Sequence, residues 1–77
     1  MQFKEAVSER IYELCDKYHY TPNRLAEMST IPPTTLRSTL AKRVDNPSSY
    51  VIYKICQTFK IEMKDFFDSP LFKNLED

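Results

Sequence analysis

Glycine is missing from this 77-residue sequence, and the net charge is zero because 11 Lys/Arg residues balance 11 Asp/Glu residues. A chain without glycine has no glycine-rich phosphate loop and no dinucleotide-binding turn, since both need backbone conformations that glycine adopts at low cost. Tight primed hairpin turns are disfavoured for the same reason, which favours helices over strands. Taken as a total, the zero charge argues against a nucleic-acid partner, because phosphate binding normally leaves a basic footprint.

Long apolar runs are missing as well. No run approaches the roughly 20 residues that cross a bilayer, and the charges throughout residues 1–20 argue against a signal peptide. We therefore expect no membrane partner and a cytoplasmic location. Cys15 and Cys56 are widely spaced without a CxxC motif, so we interpret them as reduced thiols, with a disulfide between them as the alternative. A chain this short makes one small domain with a modest core, here residues 1–77.

Apolar spacing and start signals predict two helices in the first part of the chain. Residues 3–18 carry one apolar stripe at helical spacing: Phe3, Val7, Ile11, Leu14, Cys15 and Tyr18. Thr21 followed by Pro22 is a helix cap followed by a proline at the first helical position, and this second helix runs to about Ser29.

Prolines delimit three further helical segments. The run Ile31-Pro32-Pro33 cannot continue a helix, so a third helix begins at Pro33 and spans about 33–41. Ser48 caps a fourth helix after Asn46-Pro47, and a short fifth segment surrounds Met63, Phe66 and Phe67. The sequence thus predicts an all-α fold of five helices with its core over about 3–67. In the tail, 68–77, one irregular turn is expected, and its residues Leu71, Phe72 and Leu75 either cap the core or form a dimer seam.

Two short helices joined by a tight turn indicate a helix-turn-helix over about 21–41. The run TPNRLAEMSTIPPTTLRSTL, followed by NPSSYVIYKICQTFKIEMKDFF, resembles the lambda-repressor/Cro-like helix-turn-helix family, also called XRE-type, without gaps over about 8–67. Thr21, Leu25 and Ala26 match the start and core of the family's second helix, and Ile31 and Leu36 match the residues that lock the turn. Asn46-Pro47-Ser48 matches the family's entry to helix four. Short bacterial regulators of this kind share PPxTL, KIC and a similar tail.

The resemblance implies a compact five-helix domain that binds double-stranded DNA as a transcriptional regulator, with the recognition helix in the major groove. It places base contacts at Pro33, Thr34, Arg37 and Ser38. Arg37 suits bidentate reading of guanine, and Thr34 suits a thymine methyl or a phosphate. Phosphate contacts are expected at Asn23, Arg24, Lys42, Arg43, Asn46, Ser48 and Ser49, with free N–H groups near Asn23 and Arg24 beside the DNA backbone. A homodimer, at least on DNA, is also expected.

The sequence departs from the family at two glycine positions. Thr30 stands where the family turns left-handed between its two short helices, and Lys42 stands after the recognition helix. Either Thr30 adopts a strained left-handed conformation or Pro32-Pro33 impose a different turn. Thr39 also replaces a large apolar residue, which predicts looser packing there. Pro33 offers no donor at a reading position, so specificity is expected to be modest or to depend on DNA shape.

The charges are unevenly distributed. Residues 19–46 contain Arg24, Arg37, Lys42 and Arg43 against Glu27 and Asp45, a surplus of two positive charges between two slightly acidic segments. This surplus is enough for modest DNA affinity. The overall neutrality, the Pro-Pro run and the missing glycines keep open an alternative: a protein-interaction module on the same fold, such as an antirepressor or an antitoxin-like partner.

Other chemistry is disfavoured. Cys15 and His19 are four residues apart, a spacing that can hold a metal, but both cysteines lie in apolar stripes, so a structural role is expected and no metal. His19 has no nucleophile partner, and a domain of this size offers little pocket, so we expect no enzymatic activity and no cofactor. No small-molecule ligand is expected either, because no ligand domain is present.

Overall fold

The computed structural model describes residues 1–76 and consists of helices joined by short connections. In chain order they are α1 (Phe3–Tyr18), α2 (Pro22–Ser29), α3 (Pro33–Leu40), α4 (Ser49–Phe59), α5 (Met63–Phe67) and a 3₁₀ turn (Pro70–Phe72). The predicted all-α, five-helix fold is confirmed, and α3 ends one residue before the expected end. Within residues 1–76 the β-type pairing is limited to an isolated bridge between Gln2 and Glu76.

The helices begin where side chains satisfy their free N–H groups. Thr21 Oγ1 accepts from the Arg24 N–H at 3.1 Å, and Ser48 Oγ accepts from the Tyr50 N–H at 3.1 Å. At the start of α1, Glu5 Oε1 accepts from the Gln2 N–H at 2.9 Å, and this hydrogen bond lowers the pKa of the Glu5 carboxyl. The caps at Thr21 and Ser48 were both predicted from the sequence.

Each of the first four helices is followed by a left-handed residue that is not glycine. The φ angles are 62° at His19, 57° at Thr30, 62° at Lys42 and 58° at Lys60. After α1, α3 and α4 the next N–H reaches back to close the last turn: Tyr20 to Cys15 O at 2.8 Å, Arg43 to Ser38 O at 3.0 Å, and Ile61 to Cys56 O at 3.0 Å. The chain therefore ends these helices with the usual left-handed geometry but without glycine, the residue that adopts this geometry at the lowest energetic cost.

Thr30 adopts the strained alternative. Its φ of 57° and ψ of 25° are left-handed, so the prolines that follow do not replace the turn expected at this position. Thr30 Oγ1 donates to Ser29 O at 2.6 Å, and Ile31 immediately inserts into the core at 4% exposure. Strain at Thr30 thus accompanies the burial of the residue that follows it.

The core lies where all five helices meet. Its buried apolar residues are Val7, Ile11, Leu14, Cys15, Leu25, Ala26, Ile31, Leu36, Ile52, Ile55, Cys56, Phe59 and Phe66. Cys15 and Cys56 are both buried and are not joined by a disulfide. The part of the chain that the structure describes contains no group of three or more potential metal ligands and no helix long and apolar enough to span a membrane.

The tail covers one end of the core. The Phe72 ring lies 6.3 Å from Phe3, 5.9 Å from Phe66 and 5.0 Å from Phe67, measured between ring centroids. Leu71 and Leu75 are half-buried. Two roles were considered for the tail, capping the core or forming a dimer seam. Phe72 caps the core, because its ring packs on aromatic residues of its own chain.

Replacing Thr30 with glycine should stabilise the protein. Glycine removes the steric penalty of a left-handed β-branched residue, so we expect Thr30→Gly to raise the free energy of unfolding by about 1 kcal/mol and the Tm by about 4–8 °C. The matched control is Thr58→Gly within α4, which should lower stability, since glycine there only weakens a right-handed helix. Urea and thermal unfolding measure both effects, and a loss of stability in Thr30→Gly would contradict the strain at Thr30.

Burial of Cys56 should lower the stability of the folded state at alkaline pH. Burial, with a smaller effect of Asp65, raises the pKa of the Cys56 thiol to about 11. The neutral thiol therefore favours the folded state below pH about 9, and this contribution is lost as the pH rises toward about 11, because the unfolded thiol ionises first. We expect urea unfolding between pH 8 and 11 to show a steeper decline for the natural protein than for Cys56→Ala. Parallel declines would contradict the buried, neutral thiol.

Candidate nucleic-acid interface

Helix α3 is held in place by its inner face. Leu36 and Thr39 are 2% and 3% exposed, and Thr39 Oγ1 donates to Thr35 O at 3.0 Å, so the hydroxyl that replaces a large apolar side chain is satisfied within its own helix. At its N-terminal end, α3 follows the buried Ile31. The orientation of α3 is thus set by the residues on either side of the turn and by one buried face.

Two polar side chains of α1 attach the neighbouring helices. Ser8 is 1% exposed, and its Oγ donates to Leu40 O at 2.8 Å, which ties the last residue of α3 to α1. Arg10 donates from Nε to Phe66 O at 2.7 Å and from Nη2 to Asp65 O at 2.8 Å, and it pairs with Glu13 at 3.1 Å. Ser8 and Arg10 thereby give Leu40 O and Phe66 O hydrogen-bond donors at helix ends, and Asp65 O receives a second donor besides the Asp68 N–H.

The outer face of α3 displays three of the four predicted base-contacting residues. Pro33, Thr34 and Arg37 are exposed, whereas Ser38 is half-buried. Pro33 and Arg37 are four residues apart and Thr34 and Arg37 three apart, so these side chains share one side of the helix. Ser38 lies at the edge of that face, and its carbonyl accepts the Arg43 N–H.

Helix α2 contributes Asn23 to the same surface. Asn23, Pro33 and Arg37 line one depression of about 160 Å³, together with Tyr12, Pro22, Ala26, Leu36 and Leu40. The expectation of free N–H groups at both Asn23 and Arg24 is wrong for Arg24, because Thr21 Oγ1 already accepts that N–H. The Arg24 side chain pairs with Glu27 at 3.8 Å and is 59% exposed. Asn23 is therefore better placed than Arg24 to offer a free backbone N–H to a phosphate.

The remaining predicted residues follow α3. Lys42 and Arg43 are exposed, while Asn46, Ser48 and Ser49 line one groove with Phe3, Ile52, Met63 and Phe67. The Lys4 ammonium lies 2.7 Å from Asp45 Oδ1, an ion pair that ties this loop to α1 and lowers the pKa of the Asp45 carboxyl. The structure thus separates these residues into the end of α3 and the start of α4.

Three cations on and after α3 form no ion pair, although the charge of Lys42 contributes to lowering the pKa of the Glu5 carboxyl. In the part of the chain described here, no carboxylate lies within ion-pair distance of Arg37, Lys42 or Arg43. Of the other eight Lys/Arg residues, four contact a carboxylate, namely Lys4, Arg10, Arg24 and Lys64; Lys17, Lys54, Lys60 and Lys73 do not within the described residues. Arg37, Lys42 and Arg43 differ from the other unpaired cations in lying on and directly after α3, where an anionic backbone would neutralise them.

Sequence reasoning missed Ser8 and Pro32. Ser8 lies beside Val7 on the apolar stripe of α1, a position that signals burial, but its partner in α3 is 32 residues away. Pro32 was recognised as a helix breaker, and the structure also shows it exposed beside Pro33. Arg10 is a charged residue outside the apolar stripe of α1, yet its side chain is only 17% exposed because it contacts two carbonyl groups of α5. No local pattern signals that last contact.

Comparison with known proteins agrees with this geometry. The sequence matches the family of the Cro/C1-type HTH DNA-binding domain over residues 10–70. Among solved structures, it is similar to the crystal structure of the prophage Lp1 protein 11, with a TM-score of 0.85 and 32% identity over 97% of this chain and 100% of that chain. No curated protein matches significantly. The chain belongs to the Cro/C1-type helix-turn-helix DNA-binding family, as its motifs indicated.

Removing the Ser8 hydroxyl should destabilise the protein. Ser8→Ala leaves Leu40 O without its buried donor, so we expect the free energy of unfolding to fall by about 1–2 kcal/mol. The control is Ser49→Ala, an exposed serine whose loss should change stability by less than about 0.5 kcal/mol. Urea denaturation at pH 7 distinguishes them, and equal effects of the two substitutions would rule out the tie between α1 and α3.

Proposed function

We propose that the protein is a sequence-specific transcriptional regulator that binds double-stranded DNA with α3 in the major groove. The observation that carries the proposal is the outer face of α3, where Pro33, Thr34 and Arg37 are exposed together while Leu36 and Thr39 anchor the opposite face. A helix held in this way can enter a major groove without losing its own packing. Membership of a DNA-binding family supports the same conclusion.

Arg37 is the proposed specificity residue. Its guanidinium has no carboxylate within ion-pair distance in residues 1–76, and it can donate two parallel hydrogen bonds to O6 and N7 of guanine. Thr34 offers a hydroxyl and a methyl group on the same face. Ser38, which is half-buried, contributes from the edge of the helix.

Phosphate contacts position this face over the bases. The proposed set surrounds α3 on both sides: Asn23, Arg24, Lys42, Arg43, Asn46, Ser48 and Ser49. Lys42 and Arg43 supply charge, whereas Asn23, Asn46 and the two serines supply hydrogen bonds. With few net positive charges, non-specific affinity should be weak, and specific contacts should account for more of the binding energy.

A homodimer on a pseudo-palindromic site is part of the proposal. Two copies related by a two-fold axis would present their α3 helices to half-sites about 34 Å apart. The proposal also includes a cytoplasmic location and the absence of enzymatic activity, of a cofactor and of a small-molecule ligand. Signals would then act through a protein partner or through the concentration of the regulator itself.

Selection of bound duplexes from a random pool, with mass measurement of the complex, tests the function. We expect one enriched, pseudo-palindromic sequence and a complex of two chains per duplex. The alternative is a protein-interaction module on the same fold. Absence of binding to any duplex at micromolar protein and low salt would contradict the regulator and favour that module.

Arg37→Ala and Lys42→Gln should separate base contacts from phosphate contacts. We expect Arg37→Ala to weaken the selected duplex by about 1–3 kcal/mol with little effect on random DNA. Lys42→Gln should weaken both duplexes and reduce the slope of log K against log salt by about one. Fluorescence anisotropy from low to moderate salt measures both.

Lys60→Gln is the matched control. Lys60 has the same left-handed conformation as Lys42, with φ of 58° against 62°, but it ends α4 outside the proposed interface. The Lys60→Gln variant should bind both duplexes with the affinity and the salt dependence of the natural protein. Unchanged specific affinity in Arg37→Ala, or equal effects of the two lysine substitutions, would overturn the residue assignment.

A further inference from the structure

Helix α3 begins with an exposed pair of prolines that nearly removes its N-terminal donors. Pro32 and Pro33 have no N–H groups, and the N–H groups of Thr35 and Leu36 already donate to Pro32 O at 2.9 and 3.2 Å. In the described chain, only the Thr34 N–H remains available at this end. A helix start of this kind is poorly suited to an anion, because anion binding there relies on several free N–H groups.

The two rings provide carbon surface at this end of α3. Pro32 and Pro33 are exposed, and they line a shallow depression between the end of α2 and the start of α3 together with Ala26, Ile31, Asn23, Glu27 and Thr30. The Glu27 carboxylate lies 3.8 Å from the Arg24 guanidinium, so its charge has a partner. The rings carry no polar atom that could donate a hydrogen bond, so the group that fits against them is small and apolar.

Double-stranded DNA presents one such group in the major groove, the C5-methyl of thymine. We propose that the exposed rings of Pro32 and Pro33 read thymine through this methyl group, so that part of the sequence preference comes from apolar contact rather than hydrogen bonding. The inference rests on the proposed function, since it requires α3 to enter the major groove. It adds Pro32 to the reading residues and gives Pro33 a positive role despite its missing donor.

The rigidity of the prolines suits this contact. Pro32 has φ of −54° and ψ of 132°, and its ring has no long side chain to immobilise on binding. The contact therefore costs little conformational entropy, and burying one methyl group is worth about a four-fold change in affinity. Hydrogen bonds to other base edges would come from Thr34 and Arg37, which are exposed on the same face.

Deoxyuridine tests the proposal because it removes only the methyl group and keeps every hydrogen-bonding atom of thymine. Starting from a duplex chosen by selection, each thymine is replaced singly by deoxyuridine, and affinities are measured by fluorescence anisotropy. We expect about a three- to five-fold loss at one or two thymines per half-site and little change elsewhere. In Pro33→Ala, checked for folding by circular dichroism, the thymine-to-uracil ratio at those positions should fall toward one.

Lys42→Gln is the matched control, since it should weaken the thymine and uracil duplexes equally and leave their ratio unchanged. Unchanged affinity across the whole deoxyuridine series would overturn methyl reading while leaving DNA binding intact. An undiminished ratio in folded Pro33→Ala would overturn the assignment to the proline pair. If Pro33→Ala does not fold, the same ratio is measured with Pro32→Ala, and an undiminished ratio in that folded variant overturns the assignment. If the natural protein binds no duplex, the proposed function fails and this inference fails with it.

Discussion

The left-handed turn at Thr30 is the constraint on which the presentation of α3 depends. It reverses the chain between α2 and α3, allows Ile31 to enter the core, and leaves Pro32 and Pro33 exposed at the start of the recognition helix. A β-branched residue adopts this conformation only when the surrounding packing compensates for the strain. Burial of Ile31 and Leu36 on either side of the prolines supplies that compensation. The same chain solves the problem at His19, Lys42 and Lys60 with unbranched residues.

In this neutral chain some cations are compensated by nearby carboxylates and others are not. Lys4, Arg10, Arg24 and Lys64 lie beside carboxylates, so their charges are compensated locally. The exposed cations on and after α3 form no ion pair in the described residues, and one of them, Arg37, lies beside Asn23 and Pro33. A net charge of zero is therefore compatible with membership of a DNA-binding family, because the position of the charges along the chain matters as well as their sum.

Most of the fold was predictable because its signals are local. Apolar spacing set α1, and Thr21-Pro22 and Ser48 marked the starts of α2 and α4 through caps that the structure contains. Of the candidate site, the exposure of Pro33, Thr34 and Arg37 followed from helical spacing, whereas the half-burial of Ser38 did not. The use of the Arg24 N–H by Thr21 was missed, although the cap itself was predicted. The deoxyribose-phosphate and base contacts assigned to these residues remain predictions.

The sequence by itself determined where helices start and stop, which stripe of each is apolar, and which family the chain resembles, because caps, prolines and periodicity act over a few residues. Tertiary structure decided which partners distant polar groups find. Ser8 reaches Leu40 O across 32 residues, and Arg10 reaches Phe66 O across 56. Tertiary structure also decided that Thr30 accepts strain rather than reshaping its turn. Such outcomes depend on the summed packing of all five helices, and no local pattern contains that sum.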